Sequence, residues 1–297
     1  MDAFVLAHLS DPHLPPLPVF SLRELAGKRI LGYLNWRRNR HAIHRRDVLD
    51  ALVADMLKQR PDHVAVTGDL VNLALEAEFA PARAWLQSVG APDDVTVVPG
   101  NHDAYVRATK LRFSETFGDY MRGDADASTE AVSIPFLRRR GPLALIGLST
   151  AVPTAPLLAT GRLGSMQLDA LDRVLAQLAA EQAFRVLLIH HPLRSKARHK
   201  RLTDSDQLRS LLKRHGVELI LHGHDHVHST MWFDGPRGRI PSIGVPSASS
   251  IAHHRHPAAA YNLFSIARNA DGWRCEHRVR GMDDALRIQD LRQVQLG

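Results

Sequence analysis

The chain has 297 residues, a hydrophobic content of 44% and a single cysteine, Cys275. This composition supports a packed core and excludes disordered and fibrous proteins, while one cysteine excludes a disulfide framework and a zinc site built from several thiolates. Lys and Arg number 38 against 31 Asp and Glu, and the resulting formal charge of +7 favours an anionic partner.

The start of the chain lacks the pattern of a secretory signal, since His8 interrupts the first apolar stretch and no basic segment precedes it. No apolar run approaches the 18 residues that a membrane-spanning helix requires. The low cysteine usage is typical of a reducing compartment. These features together predict a cytoplasmic protein.

Five short apolar runs each lead into a polar turn. They are Phe4–Leu9, Val64–Val66, Val95–Val98, Val186–Ile189 and Val217–Leu221. Each predicts a buried strand whose C-terminal end delivers polar side chains. Helical spacing of apolar residues occurs between them, at 45–59, 165–180 and 205–215, with Asp204 as the expected N-cap and Gly216 as the expected terminator of the third helix. Alternating strands and helices predict an α/β protein.

After His228 the pattern changes to strand-like segments. They are Thr230–Phe233, Arg239–Val245, Tyr261–Ala267 and Trp273–Val279, and a weak helical pattern follows near the C-terminus. We expect these strands to form a second sheet, within a strand-rich extension at about 229–297. Because no repeat or long linker divides the chain, we predict a single domain over 1–297.

The predicted strand ends carry side chains that can bind metals. They are Asp11, His13, Asp69, Asn101, His102, Asp103, His190, His224 and His226. A mixture of oxygen donors and imidazoles favours Mn, Fe, Zn, Ni or Co over calcium. Such a set can hold two cations, and a carboxylate between them can bridge the pair in a phosphoryl-transfer site. Asp69, midway in the motif order, is the predicted bridge.

The blocks that carry these residues resemble the five motifs of the calcineurin-like metallophosphoesterases. They are Asp11-x-His13, Gly68-Asp69, Gly100-Asn101-His102-Asp103, His190-x-Pro192 and Gly223-His224-x-His226, and they occur in the family order between residues 8 and 228. The resemblance implies a four-layer αββα sandwich with two mixed β-sheets. It also implies an enzyme that hydrolyses phosphoric esters, since none of the family's metal ligands is missing.

The resemblance further implies two divalent metal ions, with manganese favoured. The first would be held by Asp11, His13, Asp69 and His226, and the second by Asp69, Asn101, His190 and His224. A hydroxide that bridges the metals would attack phosphorus. His102 would stabilise the phosphoryl oxygens or protonate the leaving group, and Asp103 is expected to orient it.

Two positions indicate which branch of the family the chain resembles. Asn72 lies three residues after Asp69, where purple acid phosphatases have a tyrosine, so a tyrosinate-ligated ferric centre is not expected. His102 resembles the class III cyclic nucleotide phosphodiesterases, whereas one branch of bacterial lipid A hydrolases has arginine there. We therefore expect a phosphodiesterase that acts on a cyclic nucleotide or a glycerophosphodiester.

A basic and aromatic insertion at about 19–46 contains eight Lys and Arg residues, interleaved with Tyr33, Trp36 and leucines. One interpretation is contact with an anionic membrane or a phospholipid, which would place the protein at the periphery of the inner membrane. The other interpretation is a cover over the site, with the aromatic rings packed inward. The insertion is also a candidate surface for a homodimer, and the sequence leaves monomer and homodimer open.

A second basic run, 194–201, follows the His190 motif directly. It could clamp additional phosphate near the site, which makes Arg194 and Lys196 candidate substrate-binding residues together with the neighbouring His191. His222 and His228 also adjoin predicted ligands. A further histidine cluster at 253–256 lacks a carboxylate partner, so we do not expect a third metal there.

Three other functions compete with a cyclic nucleotide or glycerophosphodiester hydrolase. The insertion favours a membrane-associated UDP-2,3-diacylglucosamine pyrophosphatase or another phospholipid hydrolase. A nucleic-acid polymer is not expected as substrate, because the chain leaves little room for an added DNA-binding domain. The third alternative is an anion-binding or membrane-binding module built on a former enzyme.

Overall fold

The computed structural model describes residues 3–106, 109, 111–126, 132–254, 256–270, 272–283 and 285–296. The strands are β1 Phe4–Leu9, β2 His63–Val66, β3 Val95–Val97, β4 Phe136–Arg140, β5 Leu143–Gly147, β6 Phe184–Leu188, β7 Leu219–His222, β8 Ser229–Gly235, β9 Gly238–Gly244, β10 Ala260–Asn269, β11 Gly272–Met282 and β12 Ile288–Gln295. The α-helices are α1 Lys28–Asn35, α2 His41–Ile43, α3 Arg46–Lys58, α4 Glu76–Val89, α5 Arg112–Phe117, α6 Ser165–Leu178 and α7 Ser205–His215.

The strands form two six-stranded mixed sheets, in the orders β12-β11-β10-β1-β2-β3 and β4-β5-β6-β7-β9-β8. Strands β1, β2 and β3 run parallel, and so do β5, β6, β7 and β9. The C-terminal ends of these parallel strands therefore lie together at one edge of each sheet, where α/β proteins place their binding sites.

Side chains of the second sheet alternate between two hydrophobic clusters. Leu145, Val186 and Leu219 belong to a cluster that they share with the first sheet and with helices α3 and α4. Their neighbours Ala144, Leu187 and Ile220 belong to a cluster with helices α6 and α7. Because successive residues of a strand face opposite sides, one sheet can contribute to both clusters. Two mixed sheets flanked by helices confirm the predicted αββα fold class.

The C-terminal strands differ from the prediction. They do not form a second sheet of their own: β8 and β9 complete the sheet of β4–β7, whereas β10, β11 and β12 complete the sheet of β1–β3. The predicted C-terminal helix is wrong, since 288–295 is the edge strand β12. Its apolar residues recur every third position, which resembles a helix, but antiparallel pairing with β11 determines the conformation.

The predicted helices lie close to their expected positions, and Gly216 ends α7 with φ 72° and a backbone N–H that donates to the carbonyl of Leu212. Asp204 does not cap that helix with its side chain. Its carboxylate accepts the backbone N–H groups of Leu163 and Gly164 at 2.8–3.1 Å. The aspartate thus joins the start of α7 to the loop before α6.

The basic insertion is mainly helical and lies against the loop after β2. Helix α1 continues through a π-helical turn, Trp36–Arg40, into α2. Arg29 donates to the backbone carbonyls of Leu73 and Ala74, and Tyr33 stacks on Trp36 with ring centroids 6.0 Å apart. None of the described helices combines the length and apolar character that crossing a bilayer requires.

Candidate metal centre

The loops after β1, β2, β3, β6 and β7 bring all seven expected metal ligands to one edge of the sandwich. Five of these residues have positive φ: Asp11, His13, Asp69, His224 and His226 lie between 38° and 72°. Such angles are uncommon for residues with a side chain and recur at functional sites. Gly68 and Gly223 permit the close contacts between these loops, because a Cβ on either glycine would collide with a neighbouring loop.

The residues expected at the first metal surround a shared space. Asp11 Oδ1 lies 3.1 Å from His226 Nε2 and 3.9 Å from His13 Nε2. The two imidazole Nε2 atoms of His13 and His226 are 3.2 Å apart. Asp69 Oδ2 lies 3.7 Å from His13 Nε2. These donor atoms converge on one point, as ligands of a single cation would.

The residues expected at the second metal share Asp69 with the first group. Asp69 Oδ2 lies 3.4 Å from His190 Nε2, and that nitrogen lies 3.2 Å from Asn101 Oδ1. The His224 ring has its centroid 5.1 Å from that of His190. One oxygen of Asp69 therefore lies between the two groups of donors.

Backbone carbonyls determine which nitrogen of each ring faces the site. His190 Nδ1 donates to the carbonyl of Thr67 at 2.6 Å, so its Nε2 is left for a metal. His13 Nδ1 lies 3.3 Å from the carbonyl of Val71. His224 has the opposite arrangement, with Nε2 donating to the carbonyl of Lys200 at 3.0 Å. Second hydrogen bonds of this kind fix the tautomer and orientation of metal-binding histidines.

The electrostatics of the buried carboxylates fit cation binding. Burial opposes the ionised form of Asp69, but His190 and His102 hold the pKa of this carboxyl well below its ordinary value. Burial also opposes the charged form of His190, and the Asp69 carboxylate outweighs it and raises the pKa of His190 to about 10. A proton thus offsets the carboxylate charge, and a divalent cation would replace that proton. The donor set present therefore fits two divalent cations.

His102 also faces this space. Its Nδ1 donates to the backbone carbonyl of Asn72, which leaves Nε2 directed toward the site and 2.9 Å from Nη1 of Arg40. The buried Glu78 accepts the backbone N–H groups of Asn72, Leu73 and Leu75 and so holds the loop that orients His102. The spacing of motifs gave no signal for this role of Glu78.

Asp103 does not orient His102, contrary to the sequence prediction. Its buried carboxylate accepts the backbone N–H groups of Asp69, Leu70, Val71 and Gly100 at 2.8–3.2 Å. Burial and the nearby Asp69 raise the pKa of Asp103 to about 8. Asp103 thus joins the metal-site loops that follow β2 and β3.

Replacing Asp103 by alanine is expected to destabilise the protein by about 3 kcal/mol or more, because four buried N–H groups would lose their acceptor. The same change should reduce the rise in melting temperature that Mn²⁺ produces, since the loop carrying Asp69 would shift. Thermal unfolding with and without Mn²⁺ measures both effects. A manganese-induced rise equal to that of the wild type would contradict this positioning role.

Three residues near the site were missed by motif reading because they belong to no family block. Arg40 reaches His102 from the insertion. His44 is buried at the end of the insertion, within 4.8 Å of ligand nitrogens of His13 and His226, and its Nδ1 contacts Ser249 Oγ at 2.8 Å. Lys200 lines the cavities beside the metal ligands. The 18 histidines of the chain and the two basic runs were the only sequence signals for them.

The three predicted substrate-binding residues are in different settings. His191 is buried, with its ring centroid 4.2 Å from that of His224, and its nitrogens contact Thr150 Oγ1 and the carbonyl of Ala159. Arg194 is exposed and lies over the ring of Phe233 at 5.7 Å, in a groove with α7. Lys196 is exposed. Within the second basic run, Lys200 rather than Arg194 lies beside the metal ligands.

Comparison with known proteins identifies the family of the chain. The model of the calcineurin-like phosphoesterase family matches residues 4–228. A probable cyclic nucleotide phosphodiesterase of Rhodococcus erythropolis is 30% identical over 196 residues, which are 64% of this chain and 59% of that protein. A probable cyclic nucleotide phosphodiesterase of Synechococcus is 27% identical over 233 residues, covering 76% of this chain and 80% of that protein. The chain thus spans about three fifths of the length of the first relative.

Solved structures share the fold at low sequence identity. The purple acid phosphatase PPD1 from yellow lupin matches with a TM-score of 0.56 and 10% identity, over 99% of this chain and 54% of that one. The sulfate thiohydrolase SoxB of Thermus thermophilus matches with a TM-score of 0.51 and 17% identity, over 100% of this chain and 57% of that one. Because the family model covers most of the sequence, the chain belongs to the calcineurin-like phosphoesterases.

Proposed function

We propose that this protein is a phosphodiesterase that depends on two divalent cations. The observation that carries the proposal is the position of Asp69 Oδ2, which lies 3.7 Å from His13 Nε2 and 3.4 Å from His190 Nε2. One carboxylate oxygen is thus within reach of two groups of imidazole donors, as a bridging ligand must be. The names of the two bacterial relatives support a diester as substrate.

The first cation would be held by Asp11, His13, Asp69 and His226, and the second by Asp69, Asn101, His190 and His224. When bound, two such cations lower the pKa of water and stabilise charge on the phosphoryl oxygens. Manganese is our first choice among Mn, Fe, Zn, Ni and Co, all of which accept these ligands.

The protein's own groups would position the diester. His102 presents Nε2 to the site because its Nδ1 is engaged by Asn72, and we assign it, in the form protonated on both nitrogens, to the phosphoryl and leaving-group oxygens. The insertion at 19–46 partly covers the site through Arg40 and His44.

We infer a single cytoplasmic domain over 1–297, in which the segment 229–297 completes both sheets.

A specific observation favours a second candidate, a lipid-linked pyrophosphate or phospholipid as substrate. A cavity of about 310 Å³ beside His102 is lined on one side by Leu31, Trp36, Leu157 and Leu158. Leu157 is 83% exposed and Leu31 is 42% exposed, so apolar surface borders the mouth of this cavity. Hydrolysis of UDP-diacylglucosamine faster than that of cyclic nucleotides, or sedimentation with anionic but not neutral vesicles, would favour this candidate.

The proposed activity is tested with bis(p-nitrophenyl) phosphate. We expect hydrolysis by the manganese-loaded protein, loss of hydrolysis after chelation, and recovery when Mn²⁺ is added back. Metal analysis should find two ions per chain in the active form. Hydrolysis that survives complete removal of metal would overturn the proposal. So would a protein that binds no ion in the presence of excess Mn²⁺.

A further inference from the structure

A second cavity, of about 550 Å³, opens beside the metal ligands on the side of the insertion. We call it the histidine cavity, because six histidines line it: His44, His224, His226, His253, His254 and His256. Two of these, His224 and His226, belong to the proposed metal set. The cavity therefore begins at the metal centre and extends away from it, toward the loop between β9 and β10.

The charged side chains that line the histidine cavity are cationic. Arg40 and Lys200 both line it, and among the described lining residues there is neither an aspartate nor a glutamate. The uncharged donors Asn35 and Asn39 also line the cavity. Hydrogen-bond donors and positive charge without a lining carboxylate are the features of an anion-binding site.

Binding of metal would leave the positive charge of Arg40 less well compensated in the histidine cavity. Loss of hydration lowers the pKa of Arg40, and among its neighbours the carboxylates of Asp69 and Asp11 favour its charged form. Both carboxylates belong to the proposed metal set, so bound cations would offset the charges that now stabilise the guanidinium. Lys200 has Asp225 nearby. A bound anion would then offset the charge of Arg40.

The two cavities meet at the same residues. Asn35, Arg40 and Lys200 line both the histidine cavity and the smaller cavity that contains His102. Arg40 Nη1 lies 2.9 Å from His102 Nε2, so the guanidinium stands where the two spaces join. A phosphodiester at the metal centre could thus extend one substituent into each cavity.

We propose that the histidine cavity is a second anion subsite, which takes an anionic oxygen group, such as a phosphomonoester, carried by one substituent of the diester substrate. The inference rests on the proposed function, since it places the diester at the metal centre. Arg40 and Lys200 are its substrate-binding cations, and the histidines supply further polar contacts. The preferred substrate is then a diester with a second negative group.

The test compares two chromogenic diesters that differ by one phosphate: thymidine 5′-(p-nitrophenyl phosphate) and the same compound with a 3′-phosphate. We expect the wild type to show a KM roughly 10-fold lower for the second, because one charge-assisted contact contributes that much. Arg40→Met and Lys200→Met should bring the two KM values together. Arg37→Met is the matched control, since Arg37 is an exposed cation of the same π-helical turn, and it should keep the preference.

Binding without turnover separates this inference from the proposed function. Calorimetric titration with thymidine 3′,5′-bisphosphate and with thymidine 5′-phosphate should show tighter binding of the bisphosphate to the wild type and to Arg37→Met only. If neither diester is hydrolysed but this difference remains, the proposed function fails and the subsite stands. Equal affinities and equal KM values in the wild type, with hydrolysis intact, would overturn the subsite alone.

Discussion

Replacing Asp69 by asparagine is expected to lower the rate of diester hydrolysis by at least ~10³-fold, because the bridging charge between two cations would be lost. Metal content should fall below two ions per chain. The amide has nearly the same volume as the carboxylate, so the fold should persist. Rates with bis(p-nitrophenyl) phosphate, metal analysis and thermal unfolding of the same preparations measure these effects.

Asp206→Asn provides the control for this experiment. Asp206 is an exposed carboxylate on α7, paired only with Arg209 on the surface among the described ion pairs. This variant should retain wild-type rates and metal content, since an exposed pair contributes little. Two tightly bound ions and undiminished hydrolysis in Asp69→Asn would show that Asp69 is not a bridging ligand.

Acid is expected to destabilise the metal-free protein as the pH falls from about 6.5 to about 3, through buried histidines that stay neutral in the folded state. Burial and then Arg138 lower the pKa of His63 to about 3, and burial and then Arg292 lower the pKa of His277 to about 3. The Nδ1 atoms of both rings are buried without a hydrogen-bond partner in the described part of the chain. A proton added at His277 Nδ1 would thus have no acceptor and little hydration, and at His63 only the backbone of Asp93 favours the charged ring.

The direction follows from the folded and unfolded pKa values. Unfolded histidine takes up a proton near pH 6.5, whereas these folded rings stay neutral until about pH 3, so the stability present above pH 6.5 is lost as the pH falls between these values. Each ring should contribute a slope of about 1.4 kcal/mol per pH unit in that range. Urea unfolding of the chelated protein at several pH values from 7 to 4 measures this slope.

Variants of the two histidines test whether these rings cause the loss of stability in acid. His63→Gln and His277→Gln should each reduce the slope, although both are expected to lower stability at pH 7, since each ring is hydrogen-bonded: His63 to Thr96 and His277 to Asn262. His41→Gln, on the exposed surface of the insertion, should leave the acid sensitivity in place. An unfolding free energy that is flat from pH 6.5 to 4.5 would refute the assignment.

The predictions that succeeded concern local patterns. Short apolar runs that end in Gly, Asp or His turns predicted β1, β2, β3, β6 and β7, because a parallel strand must be buried on both faces. Since the C-terminal ends of parallel strands lie at one edge, the order of the motifs also predicted that their side chains would meet. The α/β class followed from the alternation of strands and helices, whereas the αββα arrangement was implied by the resemblance to the phosphoesterase family.

The predictions that failed depend on partners far away in the chain. Nothing in the spacing of Ile288, Leu291 and Val294 reveals that β11 is available for pairing, so a helix was expected there. Asp103 binds backbone N–H groups of another loop. Because nearly every residue has such a group, the sequence does not mark which ones Asp103 will contact. Arg40 approaches His102 only because α1 packs on the loop after β2, through Arg29. Contacts that depend on tertiary packing could therefore not be predicted from the sequence.

The place of β10 in the first sheet constrains the order of events during synthesis. Strand β1 pairs with β2 on one side and with β10 on the other, and the register joins Phe4 to Ile266. While the chain is still on the ribosome, β1 therefore has an open edge until β10, Ala260–Asn269, has emerged. Such an edge can pair with other nascent chains. The loop after β1 holds Asp11, so we expect stable metal loading to wait until β10 has paired with β1.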